Sequence, residues 1–476
     1  MLRNLLKDSA IYGGADFVTK ILAFFAFPII AAALSPVAFG VLELIVTSTA
    51  LLGLVVNCGL NNAVQRYYWD KDTVESDRPT IVSSGFITQA GFGVLMMILG
   101  IAAVPLLMPQ VEQAELPISW IALVAALVLM VFSQLSQFLL DVTRLHFAPW
   151  RFLSLSLLSR VLGIGLGVVA VVWLGWGVDG LLSVQAVAAL ISLPFGLWLI
   201  RKDLTPRINM AWIKELTRFG YPFIFAGLAY WVFGTMDRWM LAAMTNVGDV
   251  GVYSVAFRFA SIVLFVSTAF GQAWSPYAMK LRTDHPDKYR EAYAHVLLLL
   301  LFVMLVVGGG IALFSGELIG LIMPEGYGAS AIPLAVLCFG VILQSTQQVT
   351  AVGISLEKKT FLFARLAWLT AIINLILNFV LIPSYGVNGA AWATMTSYLV
   401  LTGSYLFYTQ KLHPLPIPWR KLIWILSLGG AVLLFSVMAN TTAISWELAG
   451  FKLLLAAICI LLVWRVLPIR GLSFAR

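Results

Sequence analysis

The chain has 476 residues, 61% of them hydrophobic and 11% charged, with a mean hydropathy of +0.95 and a formal net charge of +8. A soluble domain averages about 45–50% apolar and about 25% charged residues, so a soluble fold of this length is excluded. The cations sit in short loops between apolar runs and not on one polar face, which excludes a nucleic-acid-binding role.

At the N-terminus, Arg3 and Lys7 precede an apolar stretch, and Ala31-Ala32-Ala33 looks like a cleavage site. The stretch is too long for a signal peptide and carries Asp16 and Lys20, so a retained first helix is expected. A bilayer core takes about 20 mostly apolar residues per helix. About fourteen such spans are predicted on that basis. They cover 9–33, 38–60, 80–105, 117–143, 150–173, 179–200, 216–243, 250–276, 291–313, 329–353, 361–382, 388–409, 421–438 and 447–467.

Charge tests the count. Alternate loops (34–37, 106–116, 174–178, 244–249, 314–328, 383–387 and 439–446) hold no Lys or Arg, while Glu112, Glu115, Glu317 and Glu325 fall in them. The other loops and both tails hold every Lys and Arg outside the spans. By the positive-inside rule this predicts an even count with both termini cytoplasmic. Cys58, Cys338 and Cys459 are scattered and apolar in context, so no disulfide is expected. His146, His285, His295 and His413 lie near loops on one side and form no ligand cluster, so neither a metal site nor a cofactor is expected.

The sequence repeats itself weakly. Gly177-Val178-Asp179-Gly180 opens the sixth span and Gly386-Val387-Asn388-Gly389 the twelfth. Phe39-Gly40-Val41-Leu42 and Val250-Gly251-Val252-Tyr253 open the second and eighth, and Gln134 and Gln137 of the fourth match Gln344 and Gln347 of the tenth. Each match joins one span to the sixth after it, so a parallel repeat of two six-helix lobes around a central cavity is predicted. The domains expected are an N-lobe over 1–200, a linker over 201–214, a C-lobe over 215–410, and two added spans with a tail over 411–476.

Five cations remain once the loops and the span ends beside them are counted: Lys20, Arg160, Arg238, Arg258 and Lys452. Each costs about 2.5–3.5 kcal/mol at a helix centre, so each needs a reason to be there. Lys20 shares a helix face with Asp16 and Tyr12, as an ion pair or as a cavity cation tuned by Asp16, which could also carry a coupling proton. Arg258 has Ser254 and Ser261 on its face and no carboxylate one turn away, so it is read as an unpaired oxyanion ligand. Asp237-Arg238 is a gate or a structural pair. Arg160 either pairs with Asp141 or meets substrate. Lys452, near an outer helix end, is expected to snorkel. Asn374 and Asn378 form a polar stripe that reads as interhelical glue. Trp69, Trp120, Trp150, Trp212 and Trp419 fall near span ends as an aromatic belt.

Three segments carry a family resemblance. They are Leu34-Ser35-Pro36-Val37-Ala38-Phe39-Gly40, then Asp237-Arg238-Trp239-Met240-Leu241 with Val250-Gly251-Val252-Tyr253-Ser254, then Asn374 and Asn378 with Ile382-Pro383-Ser384-Tyr385-Gly386-Val387-Asn388-Gly389-Ala390-Ala391. In order and spacing they resemble the polysaccharide-biosynthesis (O-antigen, Wzx-type) flippases of the multidrug/oligosaccharidyl-lipid/polysaccharide exporter superfamily. The resemblance implies a V-shaped, two-lobed transporter working by alternating access. It implies as substrate an undecaprenyl-diphosphate-linked oligosaccharide, flipped from the cytoplasmic to the periplasmic leaflet of a bacterial inner membrane for O-antigen (lipopolysaccharide) or exopolysaccharide synthesis. In related flippases, cations of the first and eighth spans line the cavity, and Lys20 and Arg258 fall on those spans here. Substrate-binding candidates are therefore Lys20, Arg258, Asp16 and Arg160, with Asp237, Arg238 and Asp16 for gating or coupling. H⁺ or Na⁺ is the candidate coupling ion. Membrane lipid, a polysaccharide polymerase and a chain-length regulator are the candidate partners.

Two relatives of that superfamily compete, a lipid II flippase and an ion-coupled multidrug exporter. The exporter's cargo is cationic, which a basic cavity disfavours. An enzyme acting at the outer face needs a large outer loop and a catalytic His/Asp/Glu set, and neither is found, so no catalytic residue is assigned. No Gly-Lys-Ser nucleotide loop occurs, so an ion gradient or substrate mass action is left to drive transport.

Overall fold

A computed structural model describes residues 2–113, 115–357, 359–443 and 445–466, without the side chains of 2–13, 15, 16, 110, 275, 276, 360 and 466. Among the described residues the regular structure is helical throughout, with no strand. In chain order the helices are α1 (Leu2–Ala33), α2 (Pro36–Asn57), α3 (Leu60–Tyr68), α4 (Arg78–Gln113), α5 (Trp120–Leu145), α6 (Pro149–Ser156), α7 (Leu162–Val168), α8 (Gly177–Leu199), α9 (Met210–Gly220) and α10 (Pro222–Met244). Then follow α11 (Val247–Ala260), α12 (Ile262–Asp284), α13 (Tyr289–Leu313), α14 (Ser315–Ile322), α15 (Ala331–Ser345), α16 (Gln347–Thr350), α17 (Val352–Leu356), α18 (Thr360–Leu412), α19 (Trp419–Met438) and α20 (Trp446–Val466).

Local chemistry sets the helix starts. Ser35 caps α2 by accepting from the Ala38 amide at 3.2 Å, with Pro36 in the first turn where its missing N–H costs nothing. Ser119 and Asn246 cap α5 and α11 in the same way. Twelve of the helical stretches are long and apolar enough to cross a membrane. One of them, Phe361–Leu412, contains two predicted spans, and the apolar Phe17–Ala33 part of α1 supplies another, so the helices match a count of about fourteen. Large side chains such as Leu106 and Phe379 are exposed along these apolar helices, as a lipid-facing surface requires. The protein is an all-α, multi-pass membrane protein.

Within α18 the backbone reverses at Gly386, where φ is 54°. A left-handed conformation suits glycine because it has no Cβ. Gly177, its counterpart in the repeat, has φ 58° at the start of α8. The reversal brings the halves of α18 together. Asn374 donates to Ser397 Oγ at 3.1 Å, and Asn378 donates to Asn374 Oδ1 at 3.0 Å. Asn374 thus acts as the expected glue, and Asn378 holds it in place from one turn away.

The chain divides into two compact units, residues 1–231 and 232–476. In the first, α5 packs against α8, α4 and α2, while α1 packs on α6 and α7. In the second, α15 packs against α18, α13 and α11, and α19 and α20 pack on α13. The fourth span thus lies on the sixth in one unit, and the tenth on the twelfth in the other, as a repeat requires.

Candidate functional site

In the first unit, α1, α5, α7, α8 and the turn before α7 line an open cavity of about 540 Å³, a size usual for a small-molecule site. Its lining is polar for a membrane interior: Lys20 from α1, Gln134 and Gln137 from α5, Ser159 and Arg160, and Gln185 from α8. Lys20 is exposed and Arg160 half-buried. The span widens to a π-helical turn at Leu157–Val161 and to another at Val169–Trp173. The first of these turns carries Arg160 to the cavity wall, and such insertions are frequent at functional sites.

Arg160 settles between its two readings in an unforeseen way. Its guanidinium donates to Gln137 Oε1 at 3.1 Å, and Gln137 Nε2 donates to Asp141 Oδ1 at 3.0 Å. Arg160 therefore reaches Asp141 through an amide while also lining the cavity. Asp141 Oδ2 accepts from Asn61 of α3 at 2.6 Å, and Arg144 approaches Oδ1 at 3.5 Å. Asp141, Arg144 and Asn61 line a second cavity of about 260 Å³. The Asp16 side chain lies outside the described residues.

The second unit contains the Asp237–Arg238 pair, only 2% and 5% exposed. Arg238 donates to Asp237 Oδ1 at 3.2 Å, to Ser254 Oγ at 3.2 Å and to the Gly234 carbonyl at 3.1 Å. Its guanidinium also lies 5.0 Å from the Phe257 ring centre. Tyr253 donates to Asp237 Oδ2 and lies 3.1 Å from Thr394 Oγ1. Every charge in this cluster is matched inside the protein.

Two expectations are corrected. Arg258, half-buried near the end of α11, engages other groups in the structure and is not unpaired. Lys452 does not snorkel. It is fully buried, with Nζ 2.6 Å from Glu317 Oε1 and 5.7 Å from the Phe314 ring centre. Burial leaves an ammonium no route to water, so α14 supplies a carboxylate instead. Sequence reading missed Tyr253, Thr394 and Asn61 as partners. It did single out Gln137, through the repeat, without a role.

Outside the spans each unit has a histidine–carboxylate pair. His146 Nε2 lies 3.2 Å from Asp203 Oδ1 and from the Tyr68 hydroxyl. His413 Nδ1 lies 3.6 Å from Glu357 Oε1, with Nε2 2.9 Å from the Tyr289 hydroxyl. Burial pushes the Asp203 carboxyl up, and His146 pulls it back. Burial, then Arg290 and Arg282, push His413 down from the usual histidine range, against Glu357.

Comparisons with known proteins fit this architecture. A family described as polysaccharide biosynthesis protein matches residues 5–282. Two curated relatives come from Haloferax volcanii. One is described as a probable low-salt glycan biosynthesis flippase, Agl15, 22% identical over 57% of each chain. The other is described as a probable flippase, AglR, 25% identical over 48% of each chain. The match thus spans about half the length of these relatives. Among solved structures, lipid II flippase MurJ in an inward closed conformation superposes with a TM-score of 0.76 at 14% identity, over 96% of this chain and 98% of that one. An inward-facing MATE multidrug transporter gives 0.64 at 16% identity, over 83% and 94%. At such identities these structures establish the fold alone.

Proposed function

Because the chain belongs to the family of polysaccharide biosynthesis proteins, we propose that it is a flippase for a lipid-linked glycan. Its substrate is an undecaprenyl-diphosphate-linked oligosaccharide, carried by alternating access from the cytoplasmic to the periplasmic leaflet of a bacterial inner membrane. The product feeds O-antigen or exopolysaccharide assembly. The observation that carries this reading is the cavity of about 540 Å³ in which Lys20 and Arg160 stand among three glutamines and several hydroxyls. Cations at membrane depth are costly unless they serve an anion, and a guanidinium fork matches phosphate oxygens. Glutamine and serine side chains suit sugar hydroxyls. The flippases among its relatives and the two-unit fold support the same reading.

In this scheme Lys20 and Arg160 hold the diphosphate in that cavity and Asp16 tunes Lys20, with Arg258 kept as a further substrate-binding candidate. Asp237 and Arg238 act as the gating or coupling pair, and the driving force is an ion gradient or substrate mass action. The chain carries out transport and no covalent chemistry.

The test uses the full chain in liposomes with a fluorescent undecaprenyl-diphosphate oligosaccharide. Wild type flips the lipid, and Lys20→Ala and Arg160→Ala each slow it about ten-fold or more, as loss of a charge-assisted hydrogen bond implies. Flipping unchanged in both variants would remove the site. No flipping by wild type, with export of a cationic dye, would replace the substrate class.

A further inference from the structure

Asp141 stands between the two cavities of the first unit. Gln137, one turn before it, lines the larger, and Asp141 itself lines the smaller. The contact from Asn61 Nδ2 to Asp141 Oδ2, at 2.6 Å, is short for an N–H donor. Such bonds centre on about 2.9–3.0 Å, whereas O–H donors centre on about 2.7–2.8 Å. An amide presents a donor on one arm and an acceptor on the other. Here the acceptor arm, Asn61 Oδ1, is buried and has no hydrogen-bond partner among the described residues. Half a turn of that amide therefore offers Oδ1 to a protonated Asp141, at a separation that O–H donors favour. The carboxylate and the carboxylic acid are both satisfied without moving the backbone.

We infer that Asp141 binds a proton, and that this proton raises the affinity of the larger cavity for an anionic diphosphate group. The inference rests on reading that cavity as the diphosphate site. The proton comes from water on the side of the smaller cavity and settles on Oδ2, and no other covalent bond changes. While Asp141 is ionised, Gln137 donates to it, which makes the Gln137 oxygen a stronger acceptor for Arg160. Protonation weakens that hold and removes a negative charge two hydrogen bonds from the guanidinium. Both effects release Arg160 toward an anion, so binding tightens as pH falls.

The groups facing Asp141 are few. Arg144 approaches from its own helix, Asn61, Asn62 and Gln65 come from α3, and Arg160 stands beyond Gln137. Lys20 of α1 lies on the larger cavity, where α8 contributes only the uncharged Gln185 and Ala189. Among the described residues no other carboxylate lines either cavity.

The experiment measures binding of farnesyl diphosphoryl N-acetylglucosamine to the full chain in nanodiscs, at acid and alkaline pH, by calorimetry in buffers of differing ionisation enthalpy. A diphosphate diester does not titrate in this range, so proton uptake reports on the protein. Wild type is expected to bind about ten-fold tighter at acid pH and to take up part of a proton on binding. Asp141→Asn binds tightly at every pH without proton uptake, and Asp141→Glu restores the pH dependence. Should Asp141→Asn fail to fold, Gln137→Met serves in its place, with a smaller pH step. Wild-type binding that is pH-independent and without proton uptake overturns the linkage and leaves the diphosphate site standing. A full pH step in Asp141→Asn also overturns it. No binding by wild type at any pH overturns both.

Discussion

Arg160 in residues 1–231 and Arg238 in residues 232–476 are both intramembrane guanidiniums, yet they are held differently. Arg160 stands half-buried on the wall of a polar cavity, handed through an amide to a carboxylate. Arg238 is 5% exposed, directly against Asp237, with Ser254, the Gly234 carbonyl and two rings completing its shell. The repeated glutamines diverge in the same sense. Gln134 and Gln137 face the cavity, whereas Gln347 donates to Thr402 at 3.0 Å inside the helix packing. One copy thus places both glutamines on a cavity wall, where Gln137 links Arg160 to Asp141, and the other turns Gln347 into the helix packing. A duplicated scaffold can divide labour this way because each unit has its own core.

The largest expected effect separates the two arginines. Asp237→Ala leaves Arg238 buried without its carboxylate and should cost about 3–5 kcal/mol, read as a marked drop in thermal midpoint. Arg160→Ala should cost under about 1 kcal/mol, because its charge sits at a cavity wall. Equal losses would collapse the distinction. Next is the Lys452–Glu317 pair. Lys452→Ala should also lower the midpoint strongly, while Lys452→Met with Glu317→Leu should return close to wild type, since two apolar groups replace two desolvated charges. A double variant as unstable as the single one would mean that the charges fix the geometry of α20.

The smallest effect concerns the histidine–carboxylate pairs. His146 and Asp203 of the first unit correspond, about 210 residues later, to Glu357 and His413, so acid and base have exchanged places. His413 is pushed down in the folded protein, so its contribution to stability is intact above the usual histidine pKa, about 6.5, and is lost as pH falls through the lower folded value. Acidification should therefore lower the midpoint of wild type, and His413→Gln should blunt that part of the fall. An unchanged acid response would place the pH sensitivity elsewhere.

The membrane spans, their number and the repeat were legible because hydropathy, loop charge and glycine-marked turns are local properties of the chain. The burial cost of an intramembrane ion likewise picked out Lys20, Arg160, Arg238 and Lys452 before any contact was known. Contacts were another matter. Tyr253 and Thr394 lie 141 residues apart, and Lys452 and Glu317 lie 135 apart. No helical spacing rule reaches such distances. Arg258 shows the same limit, since the absence of a carboxylate one turn away says nothing about neighbouring helices. The sequence by itself determined an all-helical membrane chain with two related halves and a short set of costly charges. Only the tertiary structure decided which charges meet a cavity and which meet each other, because packing between distant helices alone sets the partners and the access to water on which a buried charge depends.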